Sequence, residues 1–151
     1  MKNLLTATLL IFATTTATAG VAETKAANAG NEEIATQVAA YTKACGKTIK
    51  VVSKHADAGK MKIAGEDRTP DNMIGVAATG CGEVVSVLAY LCADKDYKAE
   101  IVKLTTLNCV PSATDKPAVW KITKAGNVMT VNHYVVRSYY TEGIDEMKKA
   151  F

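Results

Sequence analysis

The stretch CGEVVSVLAYLC, residues 81 to 92, constrains this chain more than any other. Cys81, Val84, Val85, Leu88, Leu91 and Cys92 fall at helical spacing, so both cysteines lie on one apolar stripe. Along a helix that rises 1.5 Å per residue, the two positions are separated by roughly 16 Å. A disulfide needs Cα atoms within about 7 Å of each other. Cys81 and Cys92 therefore cannot bond to each other, and each must find Cys45 or Cys109. Two connectivities remain. Packing the helix antiparallel against the strand that follows it brings Cys81 to Cys109 and leaves Cys45 for Cys92. That pairing is slightly preferred to 45–81 with 92–109.

Other uses of the cysteines fit less well. A metal site wants close pairs such as C-x-x-C, and the chain has none. A catalytic thiolate wants an electropositive, partly exposed setting, whereas Cys45, Cys81 and Cys92 sit on apolar stripes. Four cysteines behind a secretory start read as two structural disulfides.

That start is Lys2, then an apolar run diluted by threonines, then Ala17-Thr18-Ala19. It reads as a cleavable signal peptide over residues 1–19. The run is too short and too threonine-rich for the ~20 apolar residues of a span. The expected compartment is the bacterial periplasm or the exterior. Residues 20–30, GVAETKAANAG, read as a disordered leader. Residues 31–151 are long enough for one domain with its own core. Eighteen basic residues face fifteen acidic ones with the signs interspersed, and Arg68 and Arg137 are the only arginines. No basic stripe exists for nucleic acid, and no membrane span is expected in the mature chain.

The elements follow from local pattern. Asn31, Glu32 and Glu33 open a helix whose stripe is Ile34, Val38, Tyr41 and Cys45, with Gly46 ending it. A strand is expected over Thr48–Ser53. Residues 54–80 carry Gly59, Gly65, Pro70 and Gly75 and no sustained period, and read as a long irregular segment. A strand is expected near Lys103–Val110, stopped by Pro111. AVWKITK-AGN-VMTVNHYVV reads as a hairpin with a Gly126-Asn127 loop, pairing Trp120 with His133 and Ile122 with Val131. Thr141 caps a last helix with Ile144, Met147 and Phe151 on its apolar side. The fold class is α+β: a small antiparallel sheet of three to five strands with N-terminal, central and C-terminal helices and two disulfides.

Catalytic signals are weak. His55 in the triplet HAD reads as a solvated strand end. His133 reads as a packed residue beside Trp120. Glu66, Asp67 and Asp71 lack the spacing of a calcium loop. No cofactor or metal motif occurs. The binding candidates are Arg68, one of two arginines, and Tyr134, Tyr139 and Tyr140, which cluster after the hairpin. These features point to a small exported non-catalytic protein that binds a protein or an envelope macromolecule, such as an enzyme inhibitor or a toxin-immunity protein. The alternatives are an envelope hydrolase using scattered carboxylates with His55 or His133, and a small-ligand carrier.

Overall fold

The computed structural model describes residues 10–114, 116, 120–136 and 140–151, with side chains from residue 20 onward. Tyr139 and Arg137 lie outside the described residues, as does the first part of the expected signal peptide.

The chain opens with helix α1, Leu10–Cys45. Strand β1, Lys50–Ser53, follows, then a 3-10 helix, His55–Lys60. Next come α2, Pro70–Leu91, and α3, Lys95–Ile101. Strands β2 (Thr106–Ser112), β3 (Trp120–Ala125) and β4 (Val128–Tyr134) lead to α4, Tyr140–Lys148. The architecture is α+β, with one four-stranded sheet in the order β1-β2-β4-β3.

Helix α1 overruns the expected start at Asn31: residues 20–30, read as a disordered leader, are helical. Their composition is rich in alanine and free of proline, which favours the helix, and a partner holds it there. Gly30 is buried against α2, where a Cβ would lie 2.6 Å from the Ala78 Cβ. Farther along, Thr79 Oγ1 donates to Glu33 Oε2 at 3.2 Å and Ser86 Oγ donates to Gln37 Oε1 at 3.1 Å. Cys45 then reaches Cys92. Residue numbers rise together in both helices, so α1 and α2 run side by side in the same direction. Gly46, at φ +80°, ends α1 and donates its N–H to Thr42 O at 2.9 Å.

Helix α2 also starts earlier than expected. Thr69-Pro70-Asp71 is its N-terminus, with proline in the first turn where its missing N–H costs nothing. The irregular segment expected over 54–80 therefore ends near residue 69. Gly75 and Gly80 obscure the period, yet Gly80 sits inside the helix for a packing reason described below. By length and composition α2 could cross a membrane, contrary to the expectation of no such segment. Here it is the core helix, with Met73, Ile74, Ala77, Ala78, Cys81, Val84, Val85, Val87, Leu88 and Leu91 buried. Each fully buried aliphatic side chain contributes about 1.5–3 kcal/mol.

The sheet is mixed rather than antiparallel. The hairpin is antiparallel in the expected register, Trp120 opposite His133 and Ile122 opposite Val131, around Gly126 at φ +58°. Strands β1, β2 and β4 are parallel to one another. The reason lies in the connections: α2 and α3 carry the chain back between β1 and β2, and β3 takes the outer edge so that β4 returns beside β2. Pro111 does not stop β2 but lies within it. Cys109 O accepts from Lys54 N, so odd-numbered residues of β2 point their backbone groups toward β1. The β1 pairing ends at Ser53–Cys109, and the missing N–H of Pro111 costs the ladder nothing.

One face of the sheet is buried under α2 and α4: Leu107, Cys109, Met129, Val131, His133 and Trp120. Gly143 of α4 lies flat on the Trp120 ring, where a Cβ would be 2.6 Å from the nearest ring carbon. The opposite face carries Val52, Asn108, Val110, Thr123, Thr130 and Asn132, all half-buried or exposed.

Candidate functional site

The disulfides join Cys45 to Cys92 and Cys81 to Cys109, the preferred connectivity. They pin α2 to α1 at one point and to β2 at another, and such bonds suit an oxidising compartment. None of the four cysteines is free.

Arg68 is committed inside the molecule. Its Nε donates to Glu66 Oε2 at 2.8 Å and its Nη2 donates to Val136 O at 2.8 Å. It braces the segment before α2 against the end of β4. It also borders two shallow clefts, one of about 310 Å³ with Met61, Ile63, Glu66 and Met73, and one of about 510 Å³ with Asp71, Gly75, Thr79 and Val136. Tyr134 is half-buried and alternates with buried His133 and Val135, which puts it on the open side of the sheet. Tyr140 begins α4 and is 37% exposed.

His55 is buried, contrary to the solvated position expected for it. Its Nε2 lies 3.1 Å from Ala27 O and its Nδ1 3.0 Å from Ser53 Oγ. A carbonyl can only accept, so Nε2 carries a proton directed at Ala27 O. The helical extension of α1 through residues 20–30 buries this ring. His133 is buried as expected, opposite Trp120 in the hairpin and also against Gly80 of α2. A Cβ on Gly80 would meet His133 Nδ1 at 2.5 Å, so only glycine fits there. Both ring nitrogens lack a hydrogen-bond partner among the described residues. Burial, helped by the nearby His55, lowers its pKa from 6.5 to about 4. His133 is neutral at physiological pH. Neither histidine lines any of the clefts described here.

Glu66 pairs with Arg68, and among the described residues no group of three or more His, Cys, Asp or Glu is placed to hold a metal ion.

Two surfaces escaped the sequence reading. The first is the open sheet face. The second is a cleft of about 220 Å³ at the C-terminal end of α2, lined by Tyr90, Leu91, Ala93, Asp94, Tyr97 and Lys148. Tyr90 is 57% exposed. A signal for it existed: nine residues from Cys81, Tyr90 stands half a turn away from the cysteine stripe, on the opposite side of a core helix. The chain matches no protein-family model, no curated protein and no solved structure. Function must be read from these surfaces.

Proposed function

We propose that the protein is an exported, periplasmic or secreted, non-catalytic binding module whose open sheet face takes a macromolecular partner, in the manner of an enzyme inhibitor or toxin-immunity protein. The observation that carries this reading is the side of the sheet that no described helix covers. Parallel strands are ordinarily covered on both faces. Here β1, β2 and β4 form a parallel set, and α2 and α4 pack on one face of it, through Cys81–Cys109, Gly80 against His133 and Gly143 against Trp120. The open side is hydrogen-bonding: Asn108 Nδ2 donates to Thr130 Oγ1 at 3.2 Å, with Thr123, Asn132 and Tyr134 nearby and Val52 and Val110 between. Arg68, spent on Glu66 and Val136, serves the fold in this reading rather than the partner.

The test places charge on the open face. Thr130→Arg and Asn132→Arg stand on half-buried positions and should leave the domain folded, with thermal midpoints near wild type. Wild type should retain a specific partner from envelope extract, reproduced with the purified partner, and both variants should lose it. Retention by both variants overturns the sheet-face reading. Hydrolysis of a wall, glycan or peptide substrate by the pure protein, lost on mutating His55 or a carboxylate, replaces it with the enzyme alternative.

A further inference from the structure

The geometry points to the cleft at the C-terminal end of α2 as a binding site for one ring of a neutral carbohydrate chain. The site lies in the helical layer, away from the open sheet face, and stands independently of the partner reading above.

Two tyrosines, Tyr90 from α2 and Tyr97 from α3, supply aromatic walls, and Leu91 and Ala93 supply apolar surface. A single exposed aromatic is ordinary. Two bordering one cleft, with a carboxylate and an ammonium beside them, make a recognition surface. The negative faces of the tyrosine rings attract polarised C–H bonds, which a pyranose presents on its apolar side. Asp94 Oδ1 accepts from Asp96 N at 2.9 Å, which leaves its second oxygen as an acceptor. Lys148, in the last turn of α4, has no ion-pair partner among the described residues and contributes donors.

Charge balance chooses the ligand class. One carboxylate and one ammonium leave the cleft without net charge. An anionic ligand meets Asp94, and a cationic arginine or lysine side chain meets Lys148. A hydroxyl group is both donor and acceptor and satisfies both residues. Size agrees with a single ring: about 220 Å³ falls below the roughly 300–1,000 Å³ of sites that enclose a whole small molecule. Affinity per ring should therefore be about millimolar, rising on a repetitive polymer through multivalency.

The walls are held before any ligand arrives. Cys92 is bonded to Cys45, Ala93 N donates to Tyr90 O at 3.1 Å, and Asp94 N donates to Leu91 O at 3.1 Å. Lys98 Nζ donates to Ala44 O at 3.1 Å and ties α3 to the end of α1. Such preorganisation lowers the ordering cost of binding.

The mature protein, labelled with ¹⁵N, is titrated with cellotetraose, maltotetraose and chitotetraose as neutral probes. Tetragalacturonate and a tetra-arginine peptide are the charged comparisons. At least one neutral sugar should give saturable shifts centred on residues 90–98, and Tyr90→Ala should weaken binding at least tenfold while Tyr90→Trp restores it. Tyr90 is exposed, so the alanine variant should keep the wild-type spectrum elsewhere. No saturable shift with any neutral sugar overturns the proposal. So do shifts unchanged by Tyr90→Ala, or tighter binding of either charged probe. Thr130→Arg should not alter sugar binding, so failure at the sheet face and failure here are read separately.

Discussion

The two ends of α2 are held by different physics. Its C-terminal half, from Cys81 to Leu91, is stapled by both disulfides and packed in aliphatic residues and Tyr41. Its N-terminal half, around Met73 to Gly80, packs in a smaller cluster with Ala58 and Val135, and meets two buried histidines where glycines open a notch. Each region hides a polar group without a hydrogen-bond partner among the described residues: the Tyr41 hydroxyl in one, the His133 ring in the other. Burial raises the Tyr41 pKa, so that hydroxyl stays neutral in neutral and acidic solution. His133 can be charged by acid, and neither ring nitrogen has an acceptor among the described residues. The disulfides that hold one end do not titrate. The other end is weakened when acid charges its histidine.

The largest effect should come from the stapled end. Replacing Cys45 and Cys92 together by alanine opens a loop with a sequence separation of 47 residues and should cost roughly 4 kcal/mol by chain entropy. Denaturant unfolding measures it, and a cost under about 1 kcal/mol would mean that α1 and α2 hold together without the staple.

Acid should act on the other end. The unfolded His133 titrates near 6.5 and the folded one near 4. Between those values the unfolded chain binds a proton that the folded chain refuses, so stability falls as pH drops from 6.5 toward 4. By pH 4 the loss should be about 3 kcal/mol from this group. His133→Leu removes both unpartnered nitrogens and should flatten this part of the pH profile. An unchanged profile would remove the distinction between the two ends.

Gly80→Ala should cost about 1–3 kcal/mol, the range for overpacking, because its methyl group would enter the space of the His133 ring. The same change at Gly75, where an added Cβ has open space, should be neutral or stabilising because alanine favours the helix by up to about 1 kcal/mol. Thermal melts of the pair separate packing from propensity. Equal effects would show that the notch is not tight.

Tyr41→Phe should change least. It removes an oxygen that has no partner among the described residues and leaves the ring in place, so stability should be unchanged or higher by about 1 kcal/mol. A loss above that range would show that a buried water or another group satisfies the hydroxyl.

Some of this was legible from sequence because the signals are local. The spacing of Cys81 and Cys92 excludes a bond between them whatever the rest of the chain does, since helix rise alone separates them. The Gly126-Asn127 loop sets the hairpin register, because a two-residue turn leaves only one way for the strands to meet. Thr69-Pro70-Asp71 was an equally local signal for the start of α2, hidden by the glycines behind it.

The remaining features are decided by partners distant in sequence. Parallel pairing of β1, β2 and β4 depends on where α2 and α3 return the chain, and strand pattern does not encode neighbour or direction. Residues 20–30 look like a polar leader until α2 supplies the surface against which Gly30 packs. His55 becomes buried only because that helix closes over it. Tyr90 and Tyr97 come from two helices whose meeting is set by the turn after Cys92 and the bond to Cys45. By itself, the sequence determined the helical stripe of α2, the hairpin and the exclusion of an 81–92 disulfide, all consequences of backbone geometry over a few turns. Only the tertiary structure decided sheet direction, the burial of His55 and the surfaces left open for binding, because each depends on which distant segments exclude water together.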